Sequence, residues 1–282
     1  MPVSRRLALL GGLAAAAGPF PAFAACGGAS MRMLPVGTEG GLKIGLRTYP
    51  RTLALGDGEV VLTFDDGPSP DTTPRVLEAL ACAGVRATFF LIGARAAEHP
   101  ALVRRIRAEG HTLACHSRTH PWTMRDLGEA AAIAQAEQGF ADIARAAGQD
   151  AGAPWSGAVA PFFRYPGFAD TAAVNGWLAQ RGIGVFGCDL WASDWVLATP
   201  EHQLSLTLSR LRAARGGIVL FHDTRDQTAR MIGPFLAALK TEGFRVVHMV
   251  AGSGTAATAA AKPGWTSETE RIIAATRPKR GA

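Results

Sequence analysis

Hydrophobic and polar positions alternate along this chain with two different periods. Short runs of β-branched and other apolar residues, each ended by glycine, proline or a polar cluster, are typical of buried strands. Longer segments between them repeat apolar residues at helical spacing. The pattern predicts strands at 60–64, 86–92, 111–115, 162–164, 183–188, 217–221 and 245–249. It predicts helices at 73–80, 101–109, 124–147, 171–181, 201–214 and 227–242.

This regular alternation predicts the fold class. Strands that alternate with helices form a parallel sheet, because each crossover helix returns the chain to the same edge. A closed or nearly closed barrel and an open doubly wound sheet both fit the order. No Gly-x-Gly-x-x-Gly follows the first strand, which argues against a dinucleotide-binding open sheet. The sequence therefore predicts an α/β protein.

The regions outside this alternation are expected to form separate parts of the chain. Residues 25–57 are rich in glycine and are predicted to be an irregular leader with one short strand near 42–47. Residues 58–250 are the predicted main domain. Residues 251–282 are small, polar and basic, and are predicted to be a mobile tail with one helix at 266–275.

Residues 1–24 have the composition of an export signal. Arg5 and Arg6 precede a small and apolar run at 7–18, and the Ala-Phe-Ala sequence at 22–24 fits a cleavage site. The run is too short to span a membrane. The arginine pair is also similar to a twin-arginine signal. We expect export to the periplasm or cell envelope, with a lipid anchor at Cys26 as the less favoured alternative.

Charge and cysteine content limit the classes of partner. The 282 residues carry a net charge of +6, and removal of residues 1–24 lowers it to +4, because two arginines and no acids are lost. No basic run is interleaved with aromatic residues, so no nucleic-acid partner is expected. No Cys-x-x-Cys spacing occurs, which argues against a thiolate zinc site. The cysteines predicted to be buried thiols are Cys82, Cys115 and Cys188.

Two adjacent carboxylates end the first predicted strand. Asp65 and Asp66 follow the apolar run 60–64, and Gly67-Pro68 turns the chain directly after them. Two ionised neighbours repel each other, so a metal ion or an arginine is needed to compensate them. A solvated Asp-Asp-Gly turn is the alternative, and these residues alone do not decide between the two.

Further polar residues follow strands rather than lying within helices. In a barrel the carboxyl ends of the strands share one face, where loops build the active site. We expect His116 and His120 to share one side of a helical turn and, with a carboxylate, to form a three-ligand metal site. The other polar residues that follow strands are Arg164, Asp194, Trp195, His222 and Asp223.

Five segments together resemble the motifs of a known enzyme family. They are Thr63-Phe64-Asp65-Asp66-Gly67-Pro68, His116-Ser117-Arg118-Thr119-His120-Pro121, Arg164-Tyr165-Pro166-Gly167, Ser193-Asp194-Trp195 and Leu220-Phe221-His222. Their types and order resemble the polysaccharide deacetylases (carbohydrate esterase family four), which act on chitooligosaccharides, chitin, peptidoglycan and xylan. The resemblance makes residues 58–250 a catalytic domain and implies a distorted (β/α) barrel with about seven parallel strands. It also implies one divalent metal ion, expected to be zinc, with cobalt, nickel or manganese as alternatives.

The resemblance implies a metal site and a general base, and the chemistry agrees with both. Asp66, His116 and His120 would bind the metal. Asp65 would take a proton from the attacking water, and Arg164 would hold that carboxylate ionised and oriented. Arg164 would thereby supply part of the charge compensation that the paired carboxylates need.

A general acid and a substrate pocket complete the set that the resemblance implies. His222 would donate a proton to the leaving amine, and Asp194 would keep His222 protonated. The backbone N–H of Gly167 would help to stabilise the oxyanion. The residues that would shape the sugar and acetyl pocket are Tyr165, Trp191 and Trp195.

Two positions depart from the family pattern. The family often has tyrosine where this chain has Gly167, so an aromatic wall is lost unless Phe168 or Tyr165 replaces it. In the fourth motif an acid often lies three residues before the aspartate, where this chain has Trp191, with Asp189 two residues earlier. These departures leave the glycan undetermined.

The remaining notable side chains have simpler interpretations. The histidines expected to be structural or solvated are His99, His111, His202 and His248. The arginines predicted to form a solvated helix face are Arg104, Arg105 and Arg107. Phe162 and Phe163 are expected in the core rather than under a sugar, and Cys115 is expected to pack beneath the metal.

Four functions are compatible with these residues. The leading one is metal-dependent removal of acetyl groups from an N-acetylated glycan of the chitooligosaccharide or peptidoglycan type. An O-deacetylase of xylan-type glycans would use the same machinery. A metal phosphoesterase would need more cations than Arg164 supplies. A catalytically dead envelope glycan-binding protein would be expected to lack a catalytic residue, and this chain has the full set. The sequence does not fix the oligomeric state.

Overall fold

Parallel strands covered by helices make up most of the structure, a computed structural model that describes residues 31–149, 157–196, 198–262 and 265. The predicted export signal, Cys26 and the predicted helix at 266–275 lie outside the described residues. No helix among the described residues is long and apolar enough to cross a bilayer.

The described elements follow the predicted alternation. The strands are β1 (Arg32–Gly37), β2 (Lys43–Ile44), β3 (Arg51–Leu53), β4 (Glu59–Asp65), β5 (Thr88–Leu91), β6 (Thr112–Cys115), β7 (Phe162–Phe163), β8 (Gly184–Phe186), β9 (Leu190–Trp191), β10 (Gly217–His222), β11 (Arg245–Gly252) and β12 (Thr258–Ala260). The helices are α1 (Thr73–Ala83), α2 (Gly93–Glu98), α3 (Pro100–Ala108), α4 (Glu129–Ala146), α5 (Ala172–Gln180), α6 (Pro200–Ala214) and α7 (Asp226–Thr241). Short 3₁₀ turns span Met124–Asp126 and Pro166–Phe168.

Ten of these strands form one sheet in which every pairing is parallel. The strands lie in the order β9, β10, β4, β5, β6, β7, β8 and β2. In addition, β11 pairs with the start of β4, and β1 pairs with β11. β9 follows β8 after three residues, and the Asp189 N–H between them donates to the Ile218 carbonyl of β10 at 2.9 Å, so the row bends back toward its start as the predicted distorted barrel requires. The predicted α/β class with a parallel sheet is confirmed.

Side chains on the inner face of the sheet form a buried apolar cluster. This inner cluster includes Val61, Phe90, Ala114, Phe162 and Leu220. Their neighbours along each strand belong instead to the larger core under the helices. Because successive side chains point to opposite faces, Asp65, His116, Arg164 and His222 continue the inner face at the carboxyl ends of their strands.

The leader is more ordered than its glycine content predicts. β1, β2 and β3 all lie within it; β1 pairs with β11, and β2 pairs with β8. Val36 of β1 is fully buried. The short strand predicted near 42–47 is present as β2, but the prediction of an otherwise irregular leader was wrong. Pro35 concealed β1, but proline is tolerated here because β1 is an edge strand.

The start of the predicted tail also contains regular structure. Residues 245–252 form one continuous strand, so β11 runs past the predicted boundary at residue 251. β12 pairs antiparallel with β3, Thr258 lying opposite Leu53. The small and polar composition of this segment hid a strand of only three residues, because so short a run shows no alternation.

Two other sequence predictions are corrected by the structure. The helix predicted at 124–147 is a 3₁₀ turn and then α4, because Leu127 is extended and Gly128 lies at the N-cap. Cys82 is exposed rather than buried, whereas Cys115 and Cys188 are buried as predicted. Cys82 lies on the outer side of α1, whose buried side chains include Val76, Leu77 and Leu80.

Candidate active site

A groove with a volume of about 460 Å³ opens at the carboxyl ends of the strands. Its lining residues are Asp65, Asp66, His116, His120, Trp122, Tyr165, Gly167, Phe168, Trp191, Trp195, Leu220, His222 and Arg225. All the site residues predicted from the sequence lie here except Arg164 and Asp194. Those two are fully buried and hold groove residues from behind.

Asp66, His116 and His120 bring three potential metal-ligand atoms together. One such atom from each residue lies within 4.8 Å of the others. The Asp66 Oδ1 atom is 3.6 Å from His116 Nε2 and 3.3 Å from His120 Nε2. This oxygen is buried and has no hydrogen-bond partner among the described residues. Two imidazole nitrogens and one carboxylate oxygen are a ligand set typical of catalytic zinc sites.

His116 is held in a fixed orientation from behind. Its Nδ1 atom lies 2.7 Å from the backbone carbonyl oxygen of Arg164. A proton on Nδ1 donated to that carbonyl leaves Nε2 with a free lone pair directed at Asp66. Burial lowers the pKa of His116 to about 3, so the ring is neutral. A neutral imidazole with a fixed tautomer is what metal binding requires.

The segment that carries the two histidines is a loop and not a helical turn. The prediction that His116 and His120 share one side of a helix was therefore wrong. Ser117 and His120 have φ angles of 66° and 57°, in the left-handed region. The Ser117 side chain stabilises this bend, because its Oγ accepts the His120 N–H at 3.1 Å. The bend brings both rings to the same carboxylate, with centroids 5.0 Å apart.

Asp65 forms a buried ion pair with Arg164. The Arg164 Nη1 atom lies 2.7 Å from Asp65 Oδ1 and also donates to Thr63 Oγ1 at 2.9 Å. The remaining guanidinium donors reach the carbonyl oxygens of Phe186 and Gly187. Burial raises the pKa of Asp65, and Arg164 acts in the opposite direction. The result is an oriented carboxylate that is more basic than an exposed aspartate.

His222 and Asp194 form a second buried pair on the other side of the groove. The His222 Nδ1 atom lies 2.6 Å from Asp194 Oδ1. Asp194 Oδ2 also accepts the Thr228 hydroxyl at 2.7 Å and the backbone N–H of His222 at 2.5 Å. Burial lowers the pKa of His222, but the carboxylates around it, Asp194 first and then Asp66 and Asp65, together raise the pKa to about 9. At neutral pH His222 is therefore protonated, with Nε2 left free for the groove.

Aromatic side chains form the wall next to His222. Trp191 is largely buried; Phe168 stacks on it at 5.8 Å, and the guanidinium of Arg47 lies 4.2 Å from its ring centre. Trp195 meets the edge of Trp191 at 4.8 Å and that of His222 at 5.7 Å, and is 36% exposed. Trp191 is thus packed within the wall, whereas Trp195 presents a surface to the groove.

The groove wall beside Gly167 is formed by a residue that the sequence analysis did not name. Gly167 lines the groove with a φ of +56°, a conformation that favours glycine. Tyr165 is 2% exposed and donates its hydroxyl to Asn175, so it presents little of its ring to the groove. Trp122 lies closest to the space beside Gly167, where a Cβ atom would be 3.6 Å from its indole. Sequence reasoning missed Trp122, and also Arg225 on the groove lining, because neither belongs to a motif.

Asp189 and Cys115 do not contribute to the groove. The Asp189 carboxylate accepts the N–H groups of Leu46 and Ile218 and the Thr52 hydroxyl, which ties the leader to β10. Cys115 packs on α4, with its Sγ 3.9 Å from the carbonyl oxygen of Ala136, and burial raises its pKa. The expectation that Cys115 lies beneath the metal ligands was therefore wrong: it points to the opposite side of β6 from His116.

The other residues given simple interpretations lie outside the groove lining. Phe162 and Phe163 are fully buried, as expected. The histidines outside the groove are His99, His111, His202 and His248.

Two of the three arginines of α3 bind backbone carbonyls at the end of α4: Arg104 reaches Ala146 at 3.3 Å and Arg107 reaches Ala147 at 3.1 Å. Arg105 pairs with Glu109 at 2.7 Å. Arg104 and Arg107 are nevertheless exposed and Arg105 is half-buried, so the prediction of a solvated helix face is confirmed.

Comparison with known proteins gives relatives with this same fold. A family model described as polysaccharide deacetylase matches residues 53–183. A chitooligosaccharide deacetylase of Bradyrhizobium sp. (strain ANU 289) is 33% identical over 205 residues, which are 68% of this chain and 89% of that protein. A solved peptidoglycan deacetylase of Bdellovibrio bacteriovorus has a TM-score of 0.66 at 28% identity, over 79% of this chain and 60% of that one.

A second solved structure agrees with the first. A family 4 carbohydrate esterase from Streptomyces lividans, in complex with acetate, has a TM-score of 0.57 at 31% identity, over 69% of this chain and 92% of that one. The matched family model covers the strands that carry Asp65, His116 and Arg164. The chain therefore belongs to the polysaccharide deacetylase family and is a hydrolase of that family.

Proposed function

We propose that this enzyme removes acetyl groups from an N-acetylated glycan of the chitooligosaccharide or peptidoglycan type, and that it needs one divalent metal ion. The observation that carries the proposal is the meeting of three elements in one groove: the Asp66, His116 and His120 cluster, the Asp65–Arg164 pair and the His222–Asp194 pair. The relative from Bradyrhizobium, named a chitooligosaccharide deacetylase, supports the substrate class.

The three residues of the cluster fit a divalent cation. Ligands about 2.0–2.1 Å from a tetrahedral zinc ion lie about 3.3–3.4 Å apart. The Asp66 to histidine distances of 3.3 and 3.6 Å are close to that spacing. Asp66 Oδ1 is buried without a hydrogen-bond donor among the described residues, so a positive ion would satisfy it. Zinc is the metal we favour; cobalt, nickel and manganese are the alternatives.

When bound by these residues, a divalent cation lowers the pKa of water and acts as a Lewis acid. Asp65 then accepts the proton of the water that attacks the acetamide carbonyl carbon. Arg164 fixes the Asp65 carboxylate in its place, since Nη1 binds Oδ1 while the other guanidinium nitrogens are held by backbone carbonyls. The Gly167 N–H stabilises the negative charge that develops on the carbonyl oxygen.

The second half of the reaction needs a proton on the leaving nitrogen. His222 Nε2 donates it, because Nδ1 is held by Asp194. The carbon–nitrogen bond then breaks to give acetate and a free amine on the sugar. With a pKa raised to about 9, His222 carries this proton at neutral pH.

We also propose that the enzyme acts outside the cytoplasm. The arginine pair Arg5-Arg6 and the cleavage-like sequence at 22–24 support export to the periplasm or cell envelope. A lipid anchor at Cys26 is the alternative. In this proposal residues 25–57 precede a catalytic domain at 58–250 and residues 251–282 follow it, although β1 of the leader pairs with β11 of the domain and β12 of the tail pairs with β3 of the leader.

Acetate release over a panel of glycans tests the proposed function. We expect release from chitooligosaccharides or peptidoglycan that stops on treatment with a chelator and returns with zinc. Release of acetate from acetylxylan alone would make the enzyme an O-deacetylase. This is our second candidate function, because the similar protein from Streptomyces lividans is named a carbohydrate esterase. Binding without release in metal-loaded protein would indicate a glycan-binding protein and overturn the proposal.

A further inference from the structure

Trp122 is an exposed indole on the wall of the groove. It is 71% exposed, against 43% for Met33 and 36% for Trp195, the other exposed large apolar side chains of the described chain. An indole is rarely left so open to water, because burying its apolar surface is favourable. The proposed mechanism uses neither its ring nor its N–H. The exposure therefore needs an explanation.

The indole is held in place although it is exposed. Its ring meets the His120 ring edge-on, with centroids 4.9 Å apart at 84°. Two residues further on, Met124 is fully buried and anchors the loop. Arg125 ties the same loop to the segment after Gly167, since its guanidinium binds the Asp170 backbone at 3.0 Å and the Asp170 carboxylate at 3.1 Å. A surface fixed in advance loses little entropy when a ligand binds it.

The absence of a side chain at Gly167 leaves room for Trp122. A Cβ atom there would lie 3.6 Å from the Cε3 atom of the indole. The indole therefore lies at ordinary van der Waals distance from position 167. Trp122 thus supplies the aromatic surface on this side of the groove.

The two exposed indoles contact different ends of the reaction centre. Trp122 contacts His120 of the metal-ligand cluster, and Trp195 contacts His222 of the acid pair. Trp191 is packed against Phe168 and Arg47, so it is not open in the same way. A pyranose ring has a face of C–H groups that stacks on a flat aromatic ring. One indole on each side is an arrangement that fits a chain of sugars.

We propose that Trp122 is the stacking platform for the sugar next to the one that is deacetylated, so that the enzyme prefers a chain of N-acetylated sugars to a single sugar. This inference rests on the proposed function. In this role Trp122 determines which substrate is bound, and it takes no part in the proton transfers of Asp65 and His222.

The test compares Trp122→Ala and Trp122→Phe with the wild-type enzyme. We expect kcat/KM of the metal-loaded wild-type enzyme to rise from the N-acetylglucosamine monomer to the pentamer. Trp122→Ala should lose about tenfold on the pentamer, through KM, and almost nothing on the monomer, as removal of one aromatic contact predicts. Trp122→Phe should restore most of the loss. The readout is the ratio of kcat/KM on the pentamer to that on the monomer within each protein, because a general loss of active sites leaves that ratio unchanged.

A binding measurement separates this inference from the proposed chemistry. In Asp65→Asn protein, calorimetry should detect the pentamer, and adding Trp122→Ala should weaken binding by about tenfold. An unchanged length profile in Trp122→Ala, or no pentamer binding by Asp65→Asn protein, overturns the platform. If the wild-type enzyme hydrolyses no acetyl group, the proposed function is wrong. If its binding of the pentamer still depends on Trp122, the platform is nevertheless supported.

Discussion

Asp65 and His222 face one groove, and the proposed mechanism gives them opposite protonation requirements. The proposed base must be ionised and the proposed acid must be protonated, and each has a buried partner of opposite charge. Arg164 opposes the rise that burial causes in the Asp65 pKa. Asp194, with Asp66 and Asp65, overcomes the effect of burial and raises the pKa of His222 to about 9. Two titratable groups whose environments fit different roles are typical of an acid–base active site.

Replacing Asp65 by Asn tests the proposed base. The amide keeps the size of the side chain but cannot accept the proton, so kcat should fall by about 10²–10⁴. Metal content should stay near that of the wild type, because Asp66, His116 and His120 are retained. Steady-state kinetics and metal analysis measure the two effects. Wild-type kcat in Asp65→Asn would show that the base is another group.

Replacing Asp194 by Asn tests the proposed acid through its pH profile. The proposed mechanism requires protonated His222, so activity should be lost as pH rises through the His222 pKa of about 9. Without the Asp194 charge that pKa falls, and the basic limb of kcat should move to lower pH. The control is Asp226→Asn, which removes an exposed carboxylate at the start of α7 and should leave the limb in place. If the basic limb of the pH profile stays in place in folded Asp194→Asn protein, Asp194 does not control the pKa of the acid.

The sequence predicts the motif residues of the site but not the whole groove wall. Asp65, Arg164 and His222 are predictable because each ends a strand, and strand alternation carries them to one face. Trp122 and Arg225 belong to no motif and follow no strand directly. Their place depends on the path of a loop, and local sequence does not encode that path strongly.

At the scale of elements, β1 from the leader extends the parallel sheet next to β11. Six residue pairs from Arg32↔Val247 to Gly37↔Gly252 define its register. Val36 packs against the inner cluster with no exposure, whereas Met33 is exposed on the same strand. The leader is thus part of the folded domain and not a simple spacer.

Val36→Ala tests this role of the leader. Truncating a buried aliphatic side chain should lower the free energy of unfolding by about 1–3 kcal/mol. Met33→Ala, on the same strand but exposed, should cost less than about 0.5 kcal/mol. Urea denaturation followed by circular dichroism measures both. Equal and small losses in the two variants would mean that β1 does not pair in solution.

The seven strands predicted for the main domain all exist, and β2 is the short strand predicted near 42–47. Among the missed strands, β9 has two residues and β3 and β12 have three, too few to show any alternation. The helical prediction for His116 and His120 failed for a different reason. Spacing at i and i+4 fits a helix, but the left-handed conformations of Ser117 and His120 are invisible in a hydrophobic pattern.

At the scale of the whole molecule, the proposed export fits the proposed substrate. An acetylated glycan of the peptidoglycan type lies outside the cytoplasm, where a cleaved signal would deliver the enzyme. N-terminal sequencing of protein purified from its native envelope should give a start near residue 25. A lipid-modified Cys26 at the start would support the anchored alternative. An intact Met1 would contradict cleavage.

The central claim is that Asp66, His116 and His120 hold the one metal ion on which deacetylation depends. The most direct measurement is metal content and acetate release on the same samples of wild type and His120→Ala. The wild type should bind one divalent ion per chain and lose activity with chelator, whereas His120→Ala should lack both metal and activity. Full metal occupancy in His120→Ala, or full activity in metal-free wild type, would contradict the account.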